Sequence, residues 1–399
     1  MQWITSLIAF AGLVGSAVAS PIASPEKRTS SFRVKQVQRG AKIRSGAVEM
    51  ERVFAKFTTA VPSNIRVAAA AAVSGSATTT PERFDSEFLT PVMVGGTTLM
   101  LNIDTGSSDL WVFSNQLPAS ESTGHSVYTV NAAKKLVGDT FSVSFGDGSS
   151  ASGNVFADTV VVGGVTATRQ AVEAATSVSA SFTQDTNVDG LMGLAFSPLN
   201  TVQPQQQRTF FDNVKSTLDT ALFAADLISG GPGEYDFGFI DTAKFTGTLD
   251  FSPVDNSLGL WEFTTSGYAI GTTRHATAIN GIADTGTTLL LLPSAIVTAY
   301  YAQVKGIQNS TQFGGFIFPC NAILPTFSLI IDSKLHTVPS DFLNFAPVDA
   351  ANTNCFGGIQ SAAGLPFSIF GGIFLKSQYA VFDMSQATPR IGFGQQTNT

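Results

Sequence analysis

The sequence predicts an all-β chain built from two related lobes, and three observations carry that prediction. A ten-residue pattern around Asp104 recurs around Asp284. Each copy is followed, 89 and 87 residues on, by an apolar run ending in glycine, at Gly193 and Gly371. Between them, short runs that alternate apolar and polar with period two are separated by glycine-rich turns. The chain has 399 residues, 44% of them hydrophobic. A β-textured body of that size is too large for one barrel and suits two lobes.

Composition removes several function classes. Charged residues are 13% and the net charge is −7, which excludes a generic polyanion binder and leaves no expectation of nucleic acid. Two cysteines exclude a disulfide scaffold and any multi-Cys metal site. Three histidines (His125, His275 and His336) leave little for a His-based centre. No metal and no cofactor are expected.

The charge is unevenly spread. Residues 1–20 carry none, residues 21–73 carry ten Lys/Arg against three Glu, and 74–399 carry twelve against 26 Asp/Glu. A leader of +7 therefore precedes a body of −14.

Taken in order, 1–20 reads as a cleaved signal peptide, apolar from Trp3 to Val18 with Ala17-Val18-Ala19 at its end. No later window is apolar enough for a membrane helix, so a secreted, extracellular chain without a membrane anchor is expected. Secretion permits a disulfide, and Cys320 and Cys355 are expected to pair. Asn309-Ser310-Thr311 is a glycosylation sequon. Residues 21–73, from the dibasic Lys27-Arg28 to the small-residue run Val67–Val73, read as a removable prosegment ending between 67 and 80. From Phe84 the texture is β, as in Phe141–Phe145, with turns at Gly95-Gly96, Gly146-Asp147-Gly148 and Gly163-Gly164. Helical signals are few, the best being Thr209–Leu218 and Pro293–Val304. The two lobes are placed at 74–246 and 247–399.

The repeat carries the chemistry. Leu101–Leu110 and Gly281–Leu290 both run apolar, Asp, Thr, Gly, two hydroxyls, apolar. One Asp-Thr-Gly alone is an ordinary Asx-type turn; two with matched downstream elements mark a duplicated lobe, each contributing one aspartate. If the lobes face each other, Asp104 and Asp284 share a site and hold one proton between them. The ionised partner then acts as general base on a water, and the protonated partner donates to a substrate carbonyl. That hydrolyses a peptide bond through a tetrahedral gem-diol without metal or covalent intermediate. Gly106 and Gly286 let backbone N–H groups approach the carboxylates. Ser107 and Thr287 orient the outer oxygens, and Thr105 and Thr285 are placed to brace the two loops. A Ser/His/Asp hydrolase is excluded for want of a G-x-S-x-G elbow.

The chain resembles the pepsin-family aspartic proteases, most closely the secreted fungal penicillopepsin/aspergillopepsin branch. The resemblance covers roughly 80–399 and rests on IDTGSSDLWVFS at 103–114, FGDGSSASGNV at 145–155, DGLMGLAF at 189–196, YDFGFID at 235–241, IADTGTTLLLL at 282–292 and IFLKSQYAVFD at 373–383. Aspartic proteases are themselves the standing example of a proton-sharing carboxyl pair. The resemblance implies a bilobed pepsin-like fold with a cleft between two β lobes, and a monomer acting on polypeptide substrates at acid pH. It implies a preference for apolar residues around the cut, inhibition by pepstatin-type compounds, and a zymogen inhibited by its own prosegment. By position, Asp104 and Asp284 are its dyad and Phe141–Val155 its flap. Phe145, Gly146, Asp147 and Gly148 are the flap tip, Trp111 lies beneath it, and Lys56 is the prosegment lysine that plugs the dyad. The resemblance also matches the Cys320–Cys355 pair.

Two positions depart from the pattern. The flap-tip tyrosine that binds the Trp111 indole is Phe145, so Trp111 needs another acceptor. Gly372 stands where relatives carry Asp near the dyad, which predicts a shifted pH optimum. These departures keep one alternative in play, a non-proteolytic protein on the same scaffold.

Overall fold

A computed structural model describes residues 30–41, 45–58, 60–73, 86–144 and 149–397. The expected signal peptide, Lys27-Arg28, the junction at 74–85 and the flap tip Phe145–Gly148 lie outside the described residues.

Two β lobes face each other across a cleft. In the first, the strands Ser86–Val94, Thr97–Asp104, Gly190–Gly193, Leu110–Val112, Val165–Val178 and Ser150–Val162 pair in that order. The first and last also pair, Met93 with Val161, and close a barrel. Alternation explains its long hairpin: toward the end of Ser150–Val162 the residues Phe156, Asp158, Val160 and Val162 are buried, with more exposed residues between them. Gly163 and Gly164, at φ 60° and 129°, make the turn into Val165–Val178, where a side chain would be strained.

The second lobe repeats the core motif. Glu262–Thr264, Asn280–Ala283, Ser368–Phe370, Leu290–Leu292 and Ile359–Ser361 form a five-stranded sheet, flanked by two four-stranded sheets. A six-stranded sheet joins the halves, drawing on Phe32–Lys35, Leu222–Asp226, Glu234–Phe237, Phe245–Pro253, Gln378–Asp383 and Arg390–Gln396. Phe223 stacks on Phe382 there at 4.6 Å, with Trp261 edge-on to both rings. The excess of Phe over Tyr, 32 against 6, suits such a core, because a buried phenyl ring carries no hydroxyl that must find a partner.

Helix is sparse. The two stretches read as helical contain Phe210–Val214, capped by the Thr209 hydroxyl accepting from Asp212 N, and Ser294–Tyr301. Two further helices, Gly46–Phe57 and Ser63–Val73, fall in the basic leader, where the sequence reading assigned none. The signal was present: Ala47, Met50, Val53 and Phe54 recur at helical spacing and are buried as one face. Among the described residues no helix is long and apolar enough to cross a membrane.

Cys320 and Cys355 form a disulfide across a separation of 35 residues. On chain entropy that closure stabilises the fold by about 3–4 kcal/mol. Asn309 is exposed on the strand Gln308–Ser310.

Candidate active site

Asp104 ends the strand Thr97–Asp104, and Asp284 directly follows Asn280–Ala283. Each of these strands lies parallel to the downstream apolar element of its own repeat: Asp104 is opposite Gly193, and Gly281 opposite Ser368. The strand after each loop runs antiparallel to that same element, Leu110–Val112 on Gly190–Gly193 and Leu290–Leu292 on Ser368–Phe370. The terminal glycines allow this close crossing. A Cβ on Gly193 would sit 2.5 Å from Ser107 O, and one on Gly371 would sit 2.5 Å from Thr287 O.

The two loops meet. Thr105 Oγ1 donates to Ala283 O and Thr285 Oγ1 to Ile103 O, each at 2.9 Å. The same hydroxyls accept from the opposite backbone, Thr285 N at 2.9 Å and Thr105 N at 3.1 Å. Four hydrogen bonds thus tie the lobes together and fix the spacing of the carboxylates.

Each carboxylate has a matching set of donors. Asp104 accepts from Gly106 N at 2.9 Å and Ser107 Oγ at 2.6 Å. Asp284 accepts from Gly286 N at 3.0 Å and Thr287 Oγ1 at 2.5 Å. The aspartates are 2% and 0% exposed. A Cβ on Gly106 would press on Asp284, and one on Gly286 on Asp104.

A cation lies between them. Lys56 Nζ, from the leader helix Gly46–Phe57, donates to Asp104 Oδ1 at 2.7 Å and to both Asp284 oxygens at 3.0 Å. Burial alone would raise Asp104, but the Lys56 charge and hydrogen bonds outweigh it and hold the carboxyl below its ordinary range. Asp284 goes the other way, pushed up to about 6 by burial and the Asp104 charge despite Lys56. The two members are thus driven apart.

Trp111 is buried on Leu110–Val112, its ring 4.7 Å from Phe182, and its Nε1 has no partner among the described residues. Phe145, Gly146, Asp147 and Gly148 cannot be placed against it, since they lie outside the described residues. A cleft beside the dyad is lined by Trp111, Phe182, Val188 and Leu191, with Val53 and Lys56 of the leader helix opposite. At Gly372 a Cβ would meet Thr288 O at 3.4 Å, an ordinary contact, so the backbone there does not require glycine.

Two neighbours escaped the sequence reading. Tyr235 is buried within reach of the charges on both aspartates, and burial raises its hydroxyl pKa. Glu49 accepts from Thr288 Oγ1 at 2.8 Å, tying the leader helix to the second aspartate loop. Tyr235 opens the YDFGFID motif, which could have flagged it; Glu49 became a candidate only once the leader was known to be helical.

The family model described as eukaryotic aspartyl protease matches residues 87–396. Penicillopepsin-3 of Penicillium janthinellum is 55% identical over 392 residues, covering 98% of each chain. Aspergillopepsin-1 of Aspergillus fumigatus is 52% identical over 399 residues, again 98% of each. Aspergillopepsin-1 of Aspergillus oryzae is 51% identical over 393 residues, 98% of this chain and 99% of its own. Two aspartates on duplicated loops, braced by reciprocal threonine bonds, stand in a chain matched along nearly its whole length: it belongs to the eukaryotic aspartyl protease family and is an aspartic-type endopeptidase.

Proposed function

We propose that Asp104 and Asp284 are the catalytic dyad of a secreted acid endopeptidase, that residues 21–73 are its prosegment, and that Lys56 holds the dyad shut until acid releases it. One observation carries this reading: a single lysine from the basic leader is hydrogen-bonded to both carboxylates of the duplicated motif.

With Lys56 withdrawn, the two carboxyls share one proton, as a close buried pair must. The ionised member takes a proton from a water lying between them while the other donates to the scissile carbonyl. Gly106, Gly286, Ser107 and Thr287 hold the carboxylates in position, so little reorganisation is needed as the gem-diol forms. The apolar lining from Trp111, Phe182, Val188 and Leu191 favours apolar residues around the cut.

The charge asymmetry gives the lock its pH response. Arg33 on the leader strand Phe32–Lys35 reaches Asp236 Oδ1 and Asp241 Oδ2 at 2.5 Å each. The Arg33 hydrogen bond holds Asp241 below the usual carboxylate range, so that anchor is lost as pH falls through the depressed value, while the leader keeps its positive charge. Acidified full-length protein should therefore cleave casein or haemoglobin, and pepstatin should stop it. A folded chain that cleaves neither at any pH would end this reading.

The Trp111 indole, without a partner among the described residues, leads to a further prediction. A tyrosine at 145 would restore a hydroxyl at the position the family uses to bind it. Phe145→Tyr is expected to raise kcat/KM about 5–10-fold, the equivalent of one recovered hydrogen bond of about 1 kcal/mol. An unchanged kcat/KM would show that position 145 does not serve Trp111.

A further inference from the structure

Behind the Asp104 loop lies a second carboxyl pair that the reaction does not use. Asp109 closes that loop and is 3% exposed; Glu173, on the strand Val165–Val178 opposite Trp111, is 1% exposed. The charge on Asp109 acts directly on Glu173. One amide serves both, Asn200 Nδ2 donating to Asp109 Oδ1 and to Glu173 Oε1 at 2.8 Å each. Asp109 Oδ1 also accepts Thr201 N at 2.7 Å. Glu173 Oε2 has no donor, and no Lys, Arg or His pairs with either carboxyl among the described residues. Besides the pair itself, Asp104 acts on Asp109 through its charge.

Two carboxylates this deep, with no cation, cannot both ionise. We propose that Glu173 is held as the neutral acid, that it acts through Asp109 and Asn200 as a positioning residue for the Asp104 loop, and that its ionisation sets the upper pH limit of the competent enzyme. The assignment to the reaction rests on Asp104 being catalytic.

The connections give the pair its leverage. Asp109 O accepts Gly193 N at 2.8 Å, Ser108 Oγ donates to Phe196 O at 2.7 Å, and Asn200 Nδ2 also reaches Ser108 O at 3.3 Å. Repulsion between two anions at 109 and 173 therefore falls on the loop that carries Asp104, Gly106 and Ser107. Burial pushes Asp109 up to about 6; burial first and the Asp109 charge second push Glu173 well above the usual carboxylate range. Both folded values lie above the unfolded ones. The stability they confer is therefore complete below about pH 4 and drains away as pH rises through about 6 and beyond.

The test uses acid-processed enzyme incubated at stepped pH from about 5 to 8. Residual acid-pH activity is normalised to each variant's own starting value, and tryptophan fluorescence is followed in parallel. Glu173→Gln keeps a donor toward Asp109 but cannot ionise, so both midpoints should move up by about one pH unit. Asp109→Asn, which also leaves a single ionisable group, should move them the same way and covers the case in which the first variant folds poorly. Midpoints unchanged in both variants overturn the proposal. A shifted fluorescence midpoint in a chain without activity would keep the carboxyl pair and remove its link to catalysis. Activity with unshifted midpoints would keep the dyad and remove the pair.

Discussion

Asp104→Asn is expected to abolish peptide hydrolysis while leaving the fold intact. The amide matches the carboxylate in shape and can still accept from Gly106 N, whose bond to Asp104 is 2.9 Å long. It cannot take a proton from water, and it cannot share one with Asp284. Losing general acid–base chemistry lowers turnover by roughly 10²–10⁴-fold, with the upper end expected here because both roles pass through one shared proton. Folding should be spared, because the Thr105 and Thr285 bonds that join the loops do not involve the carboxylate. The measurement is kcat on a casein-derived peptide beside a far-UV spectrum. Full activity in Asp104→Asn would show that the chemistry lies elsewhere. Asp284→Asn is expected to behave alike, since its donors mirror those of Asp104.

Lys56→Met should move the onset of self-processing to higher pH. In the closed chain Asp104 lies below its ordinary 3.8 and Lys56 above its ordinary 10.5. The lysine contribution is present below its ordinary value and is lost only as pH rises through the raised one. The Asp104 contribution is complete above about pH 4 and is lost as pH falls through the depressed value. Acid is therefore the side on which the lock opens. Methionine keeps an unbranched stem in the cleft but leaves two buried carboxyls without their cation, so the pair takes up a proton at a higher pH and the helix is held less firmly. Processing should begin about one pH unit or more above the wild-type onset, the scale on which a nearby opposite charge shifts a carboxyl. Electrophoresis after incubation at stepped pH reads it, and an unchanged onset would remove Lys56 from the lock.

The duplicated loops were legible because duplication is visible without structure. Asp104 and Asp284 sit in one pattern, and the glycines at 193 and 371 mark the strands that run beside them. The disulfide followed from the count of two cysteines and the signal-like start. The leader was harder: its positive charge was plain, but its two helices compete with a basic, small-residue composition that reads as a tail. What buries their apolar face is the body of the enzyme, which local sequence does not contain. Glu173 was invisible for a related reason. On a strand a glutamate ordinarily marks the solvent side, and only the meeting of Leu110–Val112, Val165–Val178 and Asn200 makes its position a buried one.

On the proposed reading, one site, closed by Lys56 at neutral pH, opens in acid and cuts the chain that covered it. The most direct measurement is the intact mass of purified full-length protein followed from neutral to acid pH, with and without pepstatin. The mass should stay constant near neutrality and, on acidification, fall by loss of the leader up to a point between residues 67 and 80, a loss blocked by pepstatin and absent in Asp104→Asn. A mass that stays constant at every pH, or a leader lost equally in Asp104→Asn in the absence of any other protease, would contradict it.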